Sequence, residues 1–362
     1  MRKVLFILND LEGGGAERVF VNIANGFAAN SIRVAFLVGK KKGTYLNILN
    51  PCIPVIEAGG TTLLKYLITF PGIFINNNYT HIFTASTYTG TAAIISKMLT
   101  RIPGKIFLTH HYSLPASRPL KYLPGDAILK LIHFFITPHA NKIIAVSKGS
   151  LLWLRKFSHH QLQQGTFIYN AVFDDTIYSL AAAEVNFPTA IKDKIVLLNV
   201  GRLAEQKDHA TLLKAFCIFR QTHMNAVLFI LGTGPLQLML DNFIREHELS
   251  SCVFLMGFEP NPYKWMARCD VLILSSIYEG FGNVLVEAMA LGKTVVSTNC
   301  PSGPEEILHE GKFGYLCPVR DPLGLSDAIS RAVAFPFDQD LIKESSKRYK
   351  IDEVLKKYLE II

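Results

Sequence analysis

The segment best suited to chemistry runs from Tyr278 to Ala290 and reads YEGFGNVLVEAMA. Two carboxylates, Glu279 and Glu287, stand 8 positions apart around a glycine-containing turn. The pattern predicts Glu279 on a loop and Glu287 about one turn into the following helix. The N–H groups of residues 280–283 would then point at an anion, because a helix N-terminus leaves its first amides unpaired. Glu287 could hold two vicinal hydroxyls, as on a ribose, although acidic residues favour first helical turns generally.

Two cations follow another apolar segment, in the run NVGRLAEQKD. Gly201 ends that segment, and Arg202 and Lys207 stand 5 positions apart. Arginine can bind a phosphate through two hydrogen bonds and lysine acts as a point charge, so together they suit a diphosphate leaving group. A second glycine turn, LGTGP, contains Gly234 and also follows an apolar segment.

A glycine-rich turn also stands near the N-terminus, where Gly14 and Gly15 precede a predicted helix. Such a turn lets the backbone approach an anion closely. A dinucleotide-binding fingerprint would need a third glycine where Arg18 stands, which disfavours a dehydrogenase. The alternative is an ordinary turn between a strand and a helix.

The histidines and cysteines do not indicate a metal site. His110 and His111 directly follow an apolar segment, so we expect them at the carboxyl end of a strand, where α/β sheets bind ligands. No further ligand cluster accompanies them, which disfavours metal ligation. The 6 cysteines form no Cys-x-x-Cys pair and several lie in apolar runs, so we expect them to be reduced and buried.

The elements that must position these groups alternate between strands and helices. Short apolar runs separated by helical stretches predict βαβ units and parallel sheets covered on both faces. The pattern pauses after residue 178 and then restarts, which predicts two doubly wound α/β domains, 1–175 and 193–340, facing a central cleft. A lysine-rich helix over 341–362 is expected to pack back on the first domain. The predicted strands are 4–8, 33–38, 82–84, 105–109, 142–146, 195–200, 227–231, 253–256, 271–274 and 294–297.

The composition indicates a folded protein with an anionic partner. Of 362 residues, 49% are hydrophobic and 18% are charged, which excludes disorder as the main state. The formal net charge of +8 suits nucleic acid, a phosphorylated substrate or an acidic membrane surface. Mean hydropathy is +0.26, yet no apolar run reaches the roughly 18 residues of a membrane span. The N-terminal run lacks a signal-peptide cleavage site, so we expect a cytosolic protein.

Taken together, these residues resemble a family 4 retaining glycosyltransferase of the GT-B fold, with two Rossmann-like domains. The resemblance covers nearly the whole chain, is strongest from 201 to 308, and is most specific at the Glu-x7-Glu spacing. The run CPSGPEEI fits it too, and GGAER near the N-terminus is similar to bacterial members that build lipopolysaccharide, capsule or lipid-linked glycans.

The resemblance implies a metal-independent enzyme without a cofactor. It would move a hexose or N-acetylhexosamine from a nucleotide-sugar, with UDP-sugars favoured and GDP-sugars possible. The acceptor would be a lipid-linked sugar or a glycan at the inner face of the bacterial membrane. Retention of configuration implies same-face attack, with the leaving phosphate helping to take the acceptor's proton.

The resemblance also implies which residues contact the donor's diphosphate and base. Arg202 and Lys207 would bind the diphosphate, helped by Gly14 and Gly15, and the loop with Phe258 would edge the base. Further implied donor contacts lie in the two glycine turns and shortly before Glu287: Gly201, Gly234, Asn283 and Val284.

The sugar contacts follow from the same resemblance. Glu287 would hold the ribose, and Glu279, with the backbone of Phe281 and Gly282, would face the donor sugar. One of the two adjacent histidines, with His111 favoured, would match the family's histidine near the sugar. No residue is an obvious covalent nucleophile, although Glu279 is the one to suspect.

The sequence also raises two alternative functions and the possibility of a surface that contacts a membrane. A nucleotide-sugar epimerase would use a similar fold and release UDP without an acceptor. A nucleic-acid-binding or catalytically idle protein would show a stripe of basic residues interleaved with aromatics, and none is present. Segments 63–74 and 121–137 mix apolar residues with lysines. They suit contact with anionic lipid, or else buried helices with extended lysines.

Overall fold

The computed structural model describes residues 2–111, 137–157 and 165–362. They form two compact units: Met1–Val172 with Ile351–Ile362, and Phe173–Lys350. Within the described ranges, no helix combines the length and the apolar character needed to cross a membrane.

The first unit is built on a parallel sheet of seven strands with the order β3-β2-β1-β4-β5-β6-β7. Its central strands are buried on both faces, as expected for near-continuous apolar runs in a parallel sheet. The strands are β1 (Lys3–Leu8), β2 (Arg33–Val38), β3 (Val55–Glu57), β4 (His81–Thr84), β5 (Lys105–His110), β6 (Lys142–Ala145) and β7 (Gly165–Phe167). The helices of its continuous part are α1 (Gly15–Ala29), α2 (Leu63–Asn77), α3 (Thr87–Thr100) and α4 (Lys148–Phe157).

The second unit repeats this plan with six parallel strands in the order β10-β9-β8-β11-β12-β13. The strands are β8 (Ile195–Val200), β9 (Ala226–Leu231), β10 (Val253–Gly257), β11 (Val271–Leu274), β12 (Thr294–Thr298) and β13 (Tyr315–Cys317). Its helices are α5 (Thr176–Ala181), α6 (His209–Arg220), α7 (Gln237–Glu246), α8 (Tyr263–Met266), α9 (Asn283–Ala290), α10 (Pro304–Ile307), α11 (Pro322–Ala334) and α12 (Gln339–Ser346). The predicted α/β class with two Rossmann-like units is confirmed.

The segment predicted as one helix over 341–362 is divided between the units. Helix α12 belongs to the second unit, and helix α13 (Ile351–Ile361) belongs to the first. The side chain of Leu355 on α13 packs so closely against Gly26 of α1 that a Cβ on that glycine would lie 2.8 Å from it. Tyr358 is 1% exposed in the same core.

The cysteines depart in part from the sequence prediction. All six are free thiols, as expected, and four are buried: Cys252, Cys269, Cys300 and Cys317. However, Cys52 is exposed and Cys217 is half-buried. The expected burial of Cys52 was wrong because this residue lies in a turn between β2 and β3 rather than in an apolar run.

Candidate functional site

The candidate site lies at the carboxyl edge of the second sheet, where the strand order reverses between β8 and β11. Open α/β sheets bind ligands at this switch point because the loops after the two central strands diverge there. The loop after β8 carries Lys207 in a short 3-10 turn, and the loop after β11 carries Glu279. The chain therefore brings these two predicted site residues to one place.

Lys207 and Glu279 form an ion pair that a hydroxyl completes. The Lys207 ammonium nitrogen is 2.5 Å from Glu279 Oε1, and Ser276 donates its hydroxyl to the same oxygen at 2.6 Å. The side chains of Lys207 and Glu279 are only 18% and 8% exposed. Low exposure strengthens the attraction between charges, so this geometry holds the lysine in a defined position.

Hydrogen bonds between the two loops fix the position of this pair. The Ser275 hydroxyl donates to the Lys207 carbonyl at 2.7 Å, and the Ile277 N–H donates to the Gln206 carbonyl at 2.8 Å. The Gln206 side-chain amide in turn donates to the Tyr278 carbonyl at 2.9 Å. The cation and the carboxylate therefore sit on loops that are joined to each other, not on independent segments.

A third loop, after β12, supports the turn that follows Glu279. The Thr298 hydroxyl donates to the Ser276 carbonyl at 2.5 Å. Gly303 has a φ of +97°, and a Cβ added there would lie 1.8 Å from the carbonyl oxygen of Phe281. Only glycine allows this backbone contact, which places the CPSGPEEI segment directly behind the turn.

The turn leads into α9, where the predicted position of Glu287 is confirmed. Helix α9 begins at Asn283 after Gly282, whose φ is +106°, so Glu287 lies about one turn into the helix. Glu287 is 8% exposed, and Tyr263 of α8 donates its hydroxyl to Glu287 Oε1 at 3.2 Å. Val284, on the same helix, is buried.

The two glycine turns pack against each other. A Cβ on Gly232 would lie 2.0 Å from the carbonyl oxygen of Gly201, and one on Gly234 would lie 2.4 Å from that of Leu203. The Gly201 N–H donates to the Leu231 carbonyl at 2.9 Å. Close backbone packing thus accounts for the glycines at these positions, whether or not a ligand contacts them.

Two predicted site residues stand apart from this network. Arg202 is exposed, and the structure gives its side chain no ion-pair or hydrogen-bond partner among the described residues. Phe258, directly after β10, is 52% exposed, whereas the ring of Phe281 is buried against Tyr349 with 5.3 Å between centroids. An exposed arginine and an exposed aromatic ring are both available to a ligand.

In the first unit, Gly14 is the N-cap residue of α1 and Gly15 begins the helix. The loop before them is joined to the loop after β2, because the Leu11 N–H donates to the Lys42 carbonyl at 3.0 Å. Lys42 also pairs with Glu12 at 2.5 Å. The predicted glycine turn therefore lies beside a lysine-rich loop at the carboxyl edge of the first sheet.

His111 is buried at the end of β5, and its hydrogen bonds define its tautomer. The Thr109 hydroxyl donates to the Thr84 carbonyl at 2.8 Å, so its oxygen must accept from His111 Nε2, 3.1 Å away. His111 Nδ1 is then an unprotonated acceptor, buried and without a partner among the described residues. Burial lowers the pKa of His111 to about 4, so the ring is neutral at pH 7.

Sequence reasoning missed three residues that support the site. Ser276 and Tyr263 bind the two glutamates, and His209 lies beneath the Lys207 loop with Nε2 3.1 Å from Asn199 Oδ1. Burial, aided by the charge of Lys207, lowers the pKa of His209 to about 4. Ser276 could have been found as the hydroxyl residue between strand β11 and Glu279. Tyr263 carried no usable signal, since it belongs to a different segment.

Metal-ligating side chains do not gather in the part of the chain that the structure describes. There, no group of three or more histidine, cysteine, aspartate or glutamate residues is arranged to hold a metal ion.

Comparison with known proteins places this geometry in context. The family model for glycosyl transferases group 1 matches residues 183–348. A curated relative from Campylobacter jejuni, N-acetylgalactosamine-N,N'-diacetylbacillosaminyl-diphospho-undecaprenol 4-alpha-N-acetylgalactosaminyltransferase, is 35% identical over 195 residues, which are 54% of this chain and 51% of that protein. This chain thus spans about half the length of that relative.

Two further comparisons extend over more of the chain. N-acetyl-alpha-D-glucosaminyl L-malate synthase of Bacillus anthracis is 26% identical over 261 residues, covering 66% of this chain and 67% of that protein. The HepE protein of Anabaena, solved in complex with UDP, has a TM-score of 0.79 and 19% identity, covering 99% of each chain. That likeness confirms the predicted GT-B fold. Residues 183–348, which contain the ion pair, both glutamates and the glycine turns, are thus the part of the chain that is similar to the glycosyl transferases group 1 family.

Proposed function

We propose that this protein is a retaining glycosyltransferase that takes a hexose or N-acetylhexosamine from a nucleotide-sugar, with UDP-sugars favoured over GDP-sugars. The acceptor is a lipid-linked sugar or a glycan at the inner face of the bacterial membrane. The Campylobacter jejuni relative is named for a diphospho-undecaprenol substrate, and the Anabaena structure contains UDP. These relatives give no support to the epimerase alternative.

One observation carries this proposal: the buried Lys207–Glu279–Ser276 cluster shares an edge of the second sheet with Glu287 on α9. Its cation suits a diphosphate, and its two carboxylates suit hydroxyl groups of the ribose and of the transferred sugar. A nucleoside diphosphate sugar carries all three groups, with the diphosphate between the ribose and the transferred sugar. The exposed Arg202 supplies a second cation on the same loop.

The proposed chemistry uses charge that is already in place. Breaking the bond to the leaving diphosphate develops negative charge, which Lys207, Arg202 and the amides before α9 would stabilise. We propose that these cations perform the task that a divalent metal has in other transferases, so that neither a metal nor a cofactor is needed. The leaving phosphate then takes the acceptor's proton on the face where the sugar bond breaks.

Glu279 is better suited to positioning than to attack. Its Oε1 accepts from both the Lys207 ammonium and the Ser276 hydroxyl. A carboxylate oxygen that accepts two strong hydrogen bonds is a weaker nucleophile, because its lone pairs are engaged. We therefore assign Glu279 to the donor sugar and to Lys207. The roles of His111, Gly14 and Gly15 in the first unit stay predictions.

Peripheral contact with an anionic membrane is part of the proposal. On α2, Leu64 and Ile68 are each 68% exposed and Ile75 is 58% exposed, and their spacing places them on one helix face. Lys65 is exposed beside them. An exposed apolar face with a neighbouring lysine suits the headgroup region of acidic lipid. The other segment predicted for this contact, 121–137, lies almost wholly outside the described residues.

The test is a thermal-shift panel with UDP, GDP, ADP and NAD on the wild-type protein and on Glu287→Gln. A ligand at 100 times its Kd stabilises a protein by about 2.7 kcal/mol, which is readily measured. We expect one nucleoside diphosphate to raise the unfolding temperature, and we expect Glu287→Gln to weaken that shift. The same panel with EDTA should be unchanged.

A turnover assay completes the test. The nucleotide that shifts the protein should be released from its sugar conjugate only when a lipid-linked or glycan acceptor is added. Release without an acceptor would favour the epimerase. No shift with any nucleoside diphosphate would overturn the assignment of the donor site.

A further inference from the structure

Tyr263 is a buried hydroxyl residue that the proposed reaction does not use directly. It lies on α8 and is 2% exposed, and its hydroxyl donates to Glu287 Oε1 at 3.2 Å. The two residues come from separate elements, since Tyr263 follows the loop after β10 and Glu287 lies on α9. A hydrogen bond between separate elements fixes their relative position as well as the rotation of the carboxylate.

That rotation matters because the last torsion of a glutamate side chain has no sharply preferred value. A carboxylate can accept hydrogen bonds from two vicinal hydroxyls only when its plane faces both of them. Glu287 is 8% exposed, so water contributes little to orienting it. The Tyr263 hydroxyl, which donates to Glu287 Oε1, supplies a constraint of this kind.

The segment that carries Tyr263 is itself held in place. Glu259 accepts from the Asn261 N–H at 2.9 Å and from the Trp265 indole N–H at 3.1 Å, and it pairs with Lys264 at 3.1 Å. Burial alone would raise the pKa of Glu259, but these donors outweigh it and the pKa is lowered. Glu259 is therefore ionised at neutral pH, and its hydrogen bonds hold the loop that leads into α8 against the start of that helix.

We propose that Tyr263 is a positioning residue that orients Glu287 toward both ribose hydroxyls of the donor, and thereby makes the site selective for ribonucleotides. This inference rests on the proposed nucleotide-sugar site and identifies the two ribose hydroxyls as the feature of the nucleotide that the site recognises. The residue acts through Glu287 and does not itself contact the reacting atoms.

The experiment compares UDP with 2′,3′-dideoxy-UDP by titration calorimetry on the wild-type protein and on Tyr263→Phe. The variant keeps the ring and removes the hydroxyl. If the hydroxyl acts through Glu287, we expect Tyr263→Phe to weaken UDP binding about 10-fold, the range of a hydrogen bond to a charged group. Binding of 2′,3′-dideoxy-UDP should change less than about 2-fold, because that ligand offers Glu287 no hydroxyl.

A matched control is Tyr315→Phe in the same unit. Tyr315 donates its hydroxyl to the Phe335 carbonyl at 2.8 Å, so this variant makes the same substitution and loses a tyrosine hydrogen bond that does not involve Glu287. We expect both affinities to stay unchanged in the control. In turnover, Tyr263→Phe should raise KM for the UDP-sugar about 10-fold and leave kcat within about 3-fold, since ribose binding is shared by ground and transition states.

Each other outcome has a distinct meaning. Equal losses for both nucleotides in Tyr263→Phe would show a merely structural role and overturn the inference, as would no loss for UDP. If wild-type protein binds UDP and 2′,3′-dideoxy-UDP equally, Glu287 does not read the ribose and the inference fails while the nucleotide site stands. If wild-type protein binds neither nucleotide nor GDP, the proposed function itself fails.

Discussion

Each unit has a lysine–glutamate pair at the carboxyl edge of its sheet, and the two pairs have the same length but different surroundings. Lys207 and Glu279 are 2.5 Å apart with side chains 18% and 8% exposed. Lys42 and Glu12 are also 2.5 Å apart, but their side chains are 47% and 55% exposed. Distance therefore says little about what an ion pair does. Burial determines how strongly the two charges interact, because water screens the exposed pair and leaves the buried pair strongly coupled.

The loops around the two pairs differ in the same way. In the second unit, side chains such as Ser275, Ser276 and Gln206 join the loops after β8 and β11. In the first unit, the loops after β1 and β2 are joined by the exposed Lys42–Glu12 pair and by backbone hydrogen bonds, as from the Lys40 N–H to the Asn9 carbonyl at 3.0 Å. The arrangement of the loops at the second sheet's carboxyl edge therefore depends on particular side chains. At the first sheet's carboxyl edge it depends mainly on backbone hydrogen bonds.

The largest expected effect is the difference between replacing Lys207 and replacing Lys42 with alanine. In Lys207→Ala, the nearly buried Glu279 loses the cation with which it pairs, which should cost roughly 3 kcal/mol of unfolding free energy. Turnover should fall about 100-fold or more, because a preorganised donor to the leaving group is lost. In Lys42→Ala the unfolding free energy should be unchanged, since its pair is exposed. Urea unfolding of both variants measures the difference.

Arg202→Ala is the matched control for the catalytic part of this effect. Arg202 is exposed, so its removal should leave the unfolding free energy unchanged while lowering turnover on the nucleotide-sugar. If Lys42→Ala destabilised the protein as much as Lys207→Ala, the contrast between the two pairs would be lost.

Buried histidines give the second effect, and His111 and His209 offer one example from each unit. Burial lowers the pKa of His111 and of His209 from 6.5 to about 4 in the folded state. Between pH 6.5 and about 4 the unfolded chain binds protons that these rings do not, so stability is full above pH 6.5 and falls as the pH decreases. Each ring contributes about 3 kcal/mol to this loss.

Urea unfolding at a series of pH values from 7.5 to 4 measures this dependence. Each of His111→Gln and His209→Gln should reduce the slope by about 1.4 kcal/mol per pH unit. A slope unchanged by either substitution would contradict the assignment of that ring as neutral. Turnover should show no transition near pH 6.5 that is attributable to His111.

The sequence predicted the second edge in more detail than the first, for a physical reason. Glu279 lies on a loop and Glu287 lies about one turn into α9, as the local spacing predicted. The partners Tyr263 and Ser276 were not predicted as such, because their contacts depend on how separate segments pack. The edge strands β3, β7 and β13 were also missed, since each has only three residues.

The smallest effect compares glycines at the two edges. Gly303 has a φ of +97°, and an added Cβ would meet the Phe281 carbonyl oxygen at 1.8 Å, a backbone atom that cannot move alone. Gly14 has a φ of −78°, and its added Cβ would meet only the carboxylate end of Glu17, which can rotate away. We therefore expect Gly303→Ala to cost about 2 kcal/mol of unfolding free energy, and Gly14→Ala less than about 1 kcal/mol.

Ligand binding sharpens this last comparison. Gly303→Ala should displace the turn at Phe281 and Gly282 and so weaken UDP binding together with stability. If the α1 amides also bind phosphate, Gly14→Ala should weaken UDP binding while stability is nearly unchanged. Loss of stability without loss of UDP affinity in Gly303→Ala would show that the turn before α9 does not hold the donor. The glycine would then serve packing alone.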